Sequence, residues 1–314
     1  MFAEDSMLNT FLLLFPYQSW RGELDQDYST NLVKLVCIPG APLLSRPGLS
    51  GDKAVPDKRT PEEEWYLTLT QGENVPHHLR RLMRMLPSSP RCKMCNSPFK
   101  GWGGFLMHLM GRDQSRFNPR YCQPCERFEH PGGAEVVLTM LFADVRGSTN
   151  LAAQMSALEF SKLINRFYMV ATDVLVDTDA MVDRLVGDEV VGLFIPGMTG
   201  PEHPSRAIQA AQNLLELTGH RDPKGPWVPV GIGIHTGLAF VGVVGGSEDR
   251  PSDFTALGDN VNIAARLASH AGAGEILISD AAYAATGLDL GNLERQQIQV
   301  KGKDEPLGVR VLRT

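Results

Sequence analysis

The sequence predicts an α+β protein: a ferredoxin-like βαββαβ palm with helices packed on a mainly antiparallel sheet, preceded by a small four-cysteine metal-binding module. Three observations carry this. From Gly133 onward, short apolar runs alternate with amphipathic helical stretches. The stretch "RLVGDEVVGLF" at 184–194 sets Gly187-Asp188 between two β-rich runs, a two-residue hairpin signal. Upstream, four of the five cysteines fall in two C-x-x-C pairs.

Residues 1–60 show weak periodicity and many breakers ("CIPGAPLLSRPGLSGDKAVPDKRTP"), so they read as a loosely ordered arm, with Met7 as an alternative first residue. The apolar "MLNTFLLLFPY" is shorter than the roughly 20 residues a membrane helix needs, contains Pro16, and lacks the flanks of a signal peptide. No membrane span is expected. Thr60, Pro61 and "EEE" then form a helix start, with a capping hydroxyl, Pro in first position and acids in the first turn. In "HHLRRLMRMLP", Leu79, Leu82, Met83 and Leu86 share one face, and the arginines read as a solvated basic face.

Residues 61–132 are expected to form a helical and four-cysteine module, and 133–314 a separate α+β domain. Charge separates the two. Between His77 and Arg127, ten Lys or Arg stand against two acids, so a chain of net charge -6 divides into +8 there and -14 elsewhere. The overall balance is too mild to imply a polyanion partner, and no nucleic acid is expected. Cys92, Cys95, Cys122 and Cys125 form C-x2-C-x26-C-x2-C, a spacing that can set four thiolates around one structural Zn²⁺ per chain. The same knuckles can hold iron or an iron-sulfur cluster. Four thiolates on a divalent ion leave excess negative charge, which the surrounding cations would partly neutralise. This cysteine usage places the protein in a reducing compartment, the cytoplasm.

In the third segment "EVVLTMLFADV" reads as a strand and "SALEFSKLINRFYMVATDVLVD" as a long amphipathic helix. "AMVDRLV" and "EVVGLFI" are strands about the Gly-Asp turn. "PSRAIQAAQNLLELTG" is a helix, "VPVGIGIHTGLAFVGVVG" a strand pair, and "DNVNIAARLASHAG" a helix leading to the strand "EILIS". A short helix and the strands "RQQIQV" and "GVRVLR" close the chain.

Asp144 ends the first strand, and Gly147, Ser148 and Thr149 lead into a helix whose first amides can receive phosphates. The expected sheet order brings Asp144 beside Asp188 at the hairpin tip. Two converging carboxylates repel unless a cation lies between them, and hard oxygen donors suit Mg²⁺ or Mn²⁺. Glu189 reads as a bystander. Asn262 and Arg266, at i and i+4 of one helix, can point at one ligand.

"LFADVRGST", "RLVGDEVVGLF", "GIGIHTG", "ALGDNVNIAARL" and "VKGKDEP", in this order, resemble the catalytic domain of class III nucleotidyl cyclases. The resemblance covers about residues 134 to 314. It implies a homodimer with shared sites, in which one subunit gives Asp144, Val145 and Asp188 to two Mg²⁺ or Mn²⁺ ions. The other gives Asn262, orienting the ribose, and Arg266, stabilising the transition state. The implied reaction is attack of the ribose 3′-oxygen on the α-phosphorus of a nucleoside triphosphate, expelling pyrophosphate. Lys301 matches a position near the triphosphate, with Lys303 as the fallback. Arg184 and Thr255 occupy the base-reading positions. Thr255 fits the adenine pattern, making ATP the expected substrate and an adenylate cyclase the expected enzyme; Arg184 replaces a lysine by a bulkier planar fork. GTP and pyrimidine triphosphates stay open, as does a non-catalytic cyclase-like module. A diguanylate cyclase fits less well, because Val186 replaces the first Gly of its turn.

Overall fold

A computed structural model describes residues 59–313 apart from positions 74, 76, 87–89, 117, 127–131, 248, 249, 289 and 300–304. Most of the N-terminal arm, Cys37, Lys301 and Lys303 lie outside the described residues. Among the described residues no helix is long and apolar enough to cross a membrane.

The chain order begins with helices α1 (Pro61–Gln71), α2 (His77–Met85), α3 (Gly101–Leu109) and α4 (Gln123–Glu126). Strand β1 (Gly132–Val145) is followed by α5 (Ser148–Gln154), α6 (Ala157–Asp177), β2 (Met181–Val186), β3 (Glu189–Phe194), α7 (Pro196–Thr199) and α8 (His203–Leu217). Then come β4 (Val230–Ser247), β5 (Arg250–Leu257), α9 (Asp259–His270), β6 (Glu275–Ser279), α10 (Asp280–Thr286), β7 (Glu294–Ile298) and β8 (Leu307–Arg313).

The sheet runs β2-β3-β1-β4-β6-β8-β7, with β5 paired to β4. Its pairings are antiparallel except β4 with β6. The first four strands with α6 and α8 make the expected βαββαβ palm. Period-two alternation explains why β1 reads as one apolar run: Leu141, Ala143 and Val145 enter the core with α6 and α8, while Ala134, Val136, Leu138, Met140 and Phe142 enter a second core. The second core contains Leu69 of α1, Cys92, Cys95, Tyr121 and Cys122, and Ala264 and Ala268 of α9. The sheet is thus covered on both faces, not by helices on one face alone, with the cysteine segment part of its second layer.

Local signals set the helix ends. Thr60 Oγ1 accepts from the Glu63 amide while Glu63 Oε2 accepts from the Thr60 amide, a capping box that Ser156 and Glu159 repeat at α6. The Gly187-Asp188 turn closes the β2-β3 hairpin, and Gly187 takes φ 63° there.

Two expectations are corrected. "VPVGIGIHTGLAFVGVVG" is one long strand rather than a pair. Gly237 within it is no turn: a Cβ there would lie 2.5 Å from Asn260 Cγ, so glycine admits the Asn260 side chain against the strand. The second partner is β5, whose pattern is obscured by Pro251, Ser252 and Asp253. Second, the arginines of α2 are not all solvated: Arg81 is exposed, but Arg80 and Arg84 turn inward. Arg80 is 1% exposed; its guanidinium donates to the carbonyls of Met94, Asp179 and Ala180. Burial lowers its pKa, while Asp179 opposes that shift. Arg84 donates to Asp177 O and Asp179 Oδ1, tying α2 to the turn before β2.

Candidate active site

Register brings the end of β1 against the hairpin tip. Asp144 lies opposite Glu189 in the β1-β3 ladder, and the Val145 amide donates to Asp188 O at 3.1 Å. Burial raises the Asp144 pKa and Asp188 adds to the rise, while Arg146 opposes it. Glu189 is half-buried and pushed up to about 7, by burial first and then by Asp144 and Asp188. Three carboxylates therefore share one field, where the sequence singled out two. Here Arg146 Nη2 pairs with Asp144 Oδ1, and Arg146 Nη1 donates to Ser269 O at 2.8 Å. Arg146 Nε is buried without a hydrogen-bond partner.

Hard carboxylate oxygens gathered in one field fit a divalent cation of the Mg²⁺ or Mn²⁺ type. Val145 has its side chain in the core, so its backbone carbonyl is what it could offer. Gly147 takes φ 68° and starts α5 directly beyond this end of β1, with Ser148 and Thr149 in the first turn.

A second group of residues gathers around a cleft of about 350 Å³ whose lining includes Asp183, Arg184, Glu189, Leu257 and Asn262. Arg184 Nη2 donates to Thr255 Oγ1 at 3.1 Å, so the two base-reading candidates are in direct contact. Thr255 is buried beneath the guanidinium. Its hydroxyl donates to Asp183 Oδ2 at 3.1 Å. Asp183 is in turn bonded by Lys93 Nζ at 2.9 Å. Sequence reasoning missed Asp183 and Lys93: in the linear pattern both are single charges beside more conspicuous residues.

Helix α9 carries Asn262, exposed, and Arg266 one turn later, partly buried. Its start is pinned to the sheet by Asn260, which donates to Leu238 O at 2.7 Å and bonds His235 Nε2 through Oδ1 at 2.9 Å. His235 Nδ1 reaches Ser279 Oγ at 2.8 Å. The histidine of "GIGIHTG" thus positions the helix.

The four cysteine sulfurs lie within 4.8 Å of one another, with Cys95 and Cys122 3.6 Å apart. A tetrahedron of sulfurs at about 2.3 Å from zinc has edges of about 3.8 Å, so the set fits such an ion. Burial pushes the Cys92 thiol up, whereas hydrogen bonds from the other thiols hold Cys95 down. Arg112 Nη1 approaches Cys95 Sγ at 3.8 Å. Other cations of the segment dock it on the palm instead: Lys93 and Arg120 both reach Asp253, and Tyr121 Oη accepts from the Phe254 amide.

Residues 134–311, more than half of the chain, match the family model described as the adenylate and guanylate cyclase catalytic domain. The chain is similar to an adenylate cyclase of Mycobacterium bovis, 30% identical over 167 residues, which are 52% of this chain and 37% of that protein. It is 29% identical to guanylate cyclase 32E of Drosophila melanogaster over 54% of this chain and 15% of that protein. The chain thus spans well under half the length of these relatives. Among solved structures, the adenylyl cyclase CyaB from P. aeruginosa superposes with a TM-score of 0.52 at 27% identity, over 58% of this chain and 97% of that one.

Proposed function

The chain belongs to the adenylate and guanylate cyclase family, and from that premise we propose that it converts a nucleoside triphosphate, ATP foremost, into the 3′,5′-cyclic monophosphate and pyrophosphate. The observation that carries this is the presence, on one palm, of both halves of such a site: Asp144 with Asp188 at the sheet end, and Arg184, Thr255 and Asn262 about the cleft.

In this reading two copies of the chain share each site. One presents Asp144, Val145 and Asp188, with Gly147, Ser148 and Thr149 receiving phosphates. The other presents Asn262 to the ribose, Arg266 to the charge that develops on the transferred phosphate, and Arg184 with Thr255 to the base. Lys301, outside the described residues, is assigned the triphosphate contact that the family resemblance implies. The exposed apolar side chains of Leu185, Val186 and Leu257, close to the cleft, support a covered interface. When bound, two Mg²⁺ or Mn²⁺ ions supply Lewis-acid stabilisation of the reacting phosphate. Residues 61–132 brace the palm, with Cys92, Cys95, Cys122 and Cys125 holding a structural Zn²⁺. Reduced thiols of this kind accord with a cytoplasmic location.

The test incubates purified protein with Mn²⁺ and each of ATP, GTP, CTP and UTP and identifies the product. Cyclic AMP as the main product supports the reading; another cyclic nucleotide corrects the substrate, and none favours a non-catalytic module. Shared sites are tested by mixing Asp188→Ala with Arg266→Ala chains, which should regain one intact site per heterodimer. Dimers without recovered activity would overturn that arrangement.

A further inference from the structure

We propose that Asp183, held by Lys93 of the first cysteine knuckle, fixes the direction of the Thr255 hydroxyl and so sets the base preference of the cleft. This rests on the cyclase reading and adds Lys93 and Asp183 to it as positioning residues.

The hydrogen bonds have a forced polarity. Asp183 Oδ1 accepts from Lys93 Nζ at 2.9 Å and Oδ2 from Thr255 Oγ1 at 3.1 Å. A carboxylate has no proton to give, so the threonine hydroxyl must be the donor. Thr255 then keeps only lone pairs for other partners, and one of them meets Arg184 Nη2 at 3.1 Å. A base edge that reaches Thr255 meets an acceptor. Adenine offers an exocyclic amine, a donor, where guanine offers a keto oxygen. The arrangement therefore favours adenine.

Lys93 holds the Oδ1 side of Asp183, while Arg184 Nε lies 3.3 Å from Oδ2. The lysine side chain is 4% exposed, and its ammonium reaches Asp183 Oδ1, Asp253 Oδ1 at 3.0 Å and Phe254 O at 2.5 Å. Three donors meet three acceptors, which satisfies the buried charge. Phe254 directly precedes Thr255, so the lysine holds both the backbone before Thr255 and the carboxylate on which its hydroxyl rests. Because Lys93 stands next to Cys92 and two residues before Cys95, the geometry of the knuckle is passed to the base-reading pair.

The rival account is a salt bridge that only fastens the cysteine segment to the palm. The two accounts separate on selectivity. kcat and KM for ATP and for GTP are measured on the full chain for wild type, Asp183→Asn and Lys93→Gln, alongside equilibrium binding of non-hydrolysable ATP and GTP analogues. An amide at 183 can donate to Thr255 and turn its hydroxyl outward. The ATP-over-GTP ratio of kcat/KM should then fall about tenfold, chiefly through KM, the worth of one hydrogen bond. Lys93→Gln should shift the ratio the same way by less, and carries the test should Asp183→Asn not fold. An unchanged ratio, or an equal loss for both nucleotides, overturns the proposal. Failure of the cyclase reading shows separately, as wild-type protein that makes no cyclic nucleotide; the analogue-binding ratio then decides this inference alone.

Discussion

Lys93 Nζ lies 2.9 Å from Asp183 Oδ1, so a side chain set between two cysteines of the thiol cluster ends on the strand that carries Arg184. Both side chains are almost fully buried, at 4% and 5% exposure. Lys93→Met takes the ammonium from a buried carboxylate that keeps only Thr255 and the Arg184 Nε at 3.3 Å, and should cost about 3 kcal/mol, measured by urea unfolding. Arg120→Ala, which removes a half-exposed partner of Asp253, should stay within about 1 kcal/mol of wild type.

Removing metal from the thiol cluster should loosen the second layer of the sheet, because Cys92, Cys95 and Cys122 are part of its core. One equivalent of zinc per chain is expected by elemental analysis, and Cys95→Ser should lose it. Chelation should lower Tm by at least about 5 °C, since a domain of this size shifts about 2–4 °C per kcal/mol. An unchanged Tm in metal-free protein would show that the four thiols hold the fold without an ion.

His203 is buried at the start of α8, its Nδ1 2.8 Å from Thr139 Oγ1, and burial lowers its pKa to about 4 from an ordinary 6.5. The unfolded chain therefore binds more protons than the fold between those values. The histidine's contribution to stability is complete above pH 6.5 and is lost as pH falls toward about 4. His203→Gln should flatten the slope of stability against pH in that window, read from urea midpoints.

Gly237→Ala places a methyl 2.5 Å from Asn260 Cγ, at the side chain that pins the start of α9. Overpacking of this kind costs about 1–3 kcal/mol. Because Asn262 and Arg266 lie on the same helix, kcat should fall more than stability alone explains. Activity well below the transition temperature separates the two effects; wild-type kcat with lowered Tm would show that the helix keeps its place.

The candidate site residues stand out in the sequence because each sits at a chain signal. Asp144 ends an apolar run, Asp188 follows a turn glycine, Asn262 and Arg266 are one helical turn apart, and the cysteines come in C-x-x-C pairs. The palm was legible for the same reason, since periods of two and about 3.6 alternate along it. Local pattern could not show that β4 continues through Gly237, because a glycine admitted by a distant asparagine looks like one that makes a turn. Nor could it show that Arg80 is buried, since its partners are backbone carbonyls up to 100 residues away.

By itself, then, the sequence determined most of the palm's helices and strands, the thiol quartet and the family's motifs, all of which depend on neighbours within a few residues. Only the tertiary structure decided that Glu189 joins the field of Asp144 and Asp188, that Arg184 lies on Thr255, and that Lys93 holds Asp183 beneath them. Those relations depend on strand register and on the docking of one segment against another. Hydrogen bonds and charge fields act through space, and contacts across 70 to 90 residues of chain leave no periodicity to read.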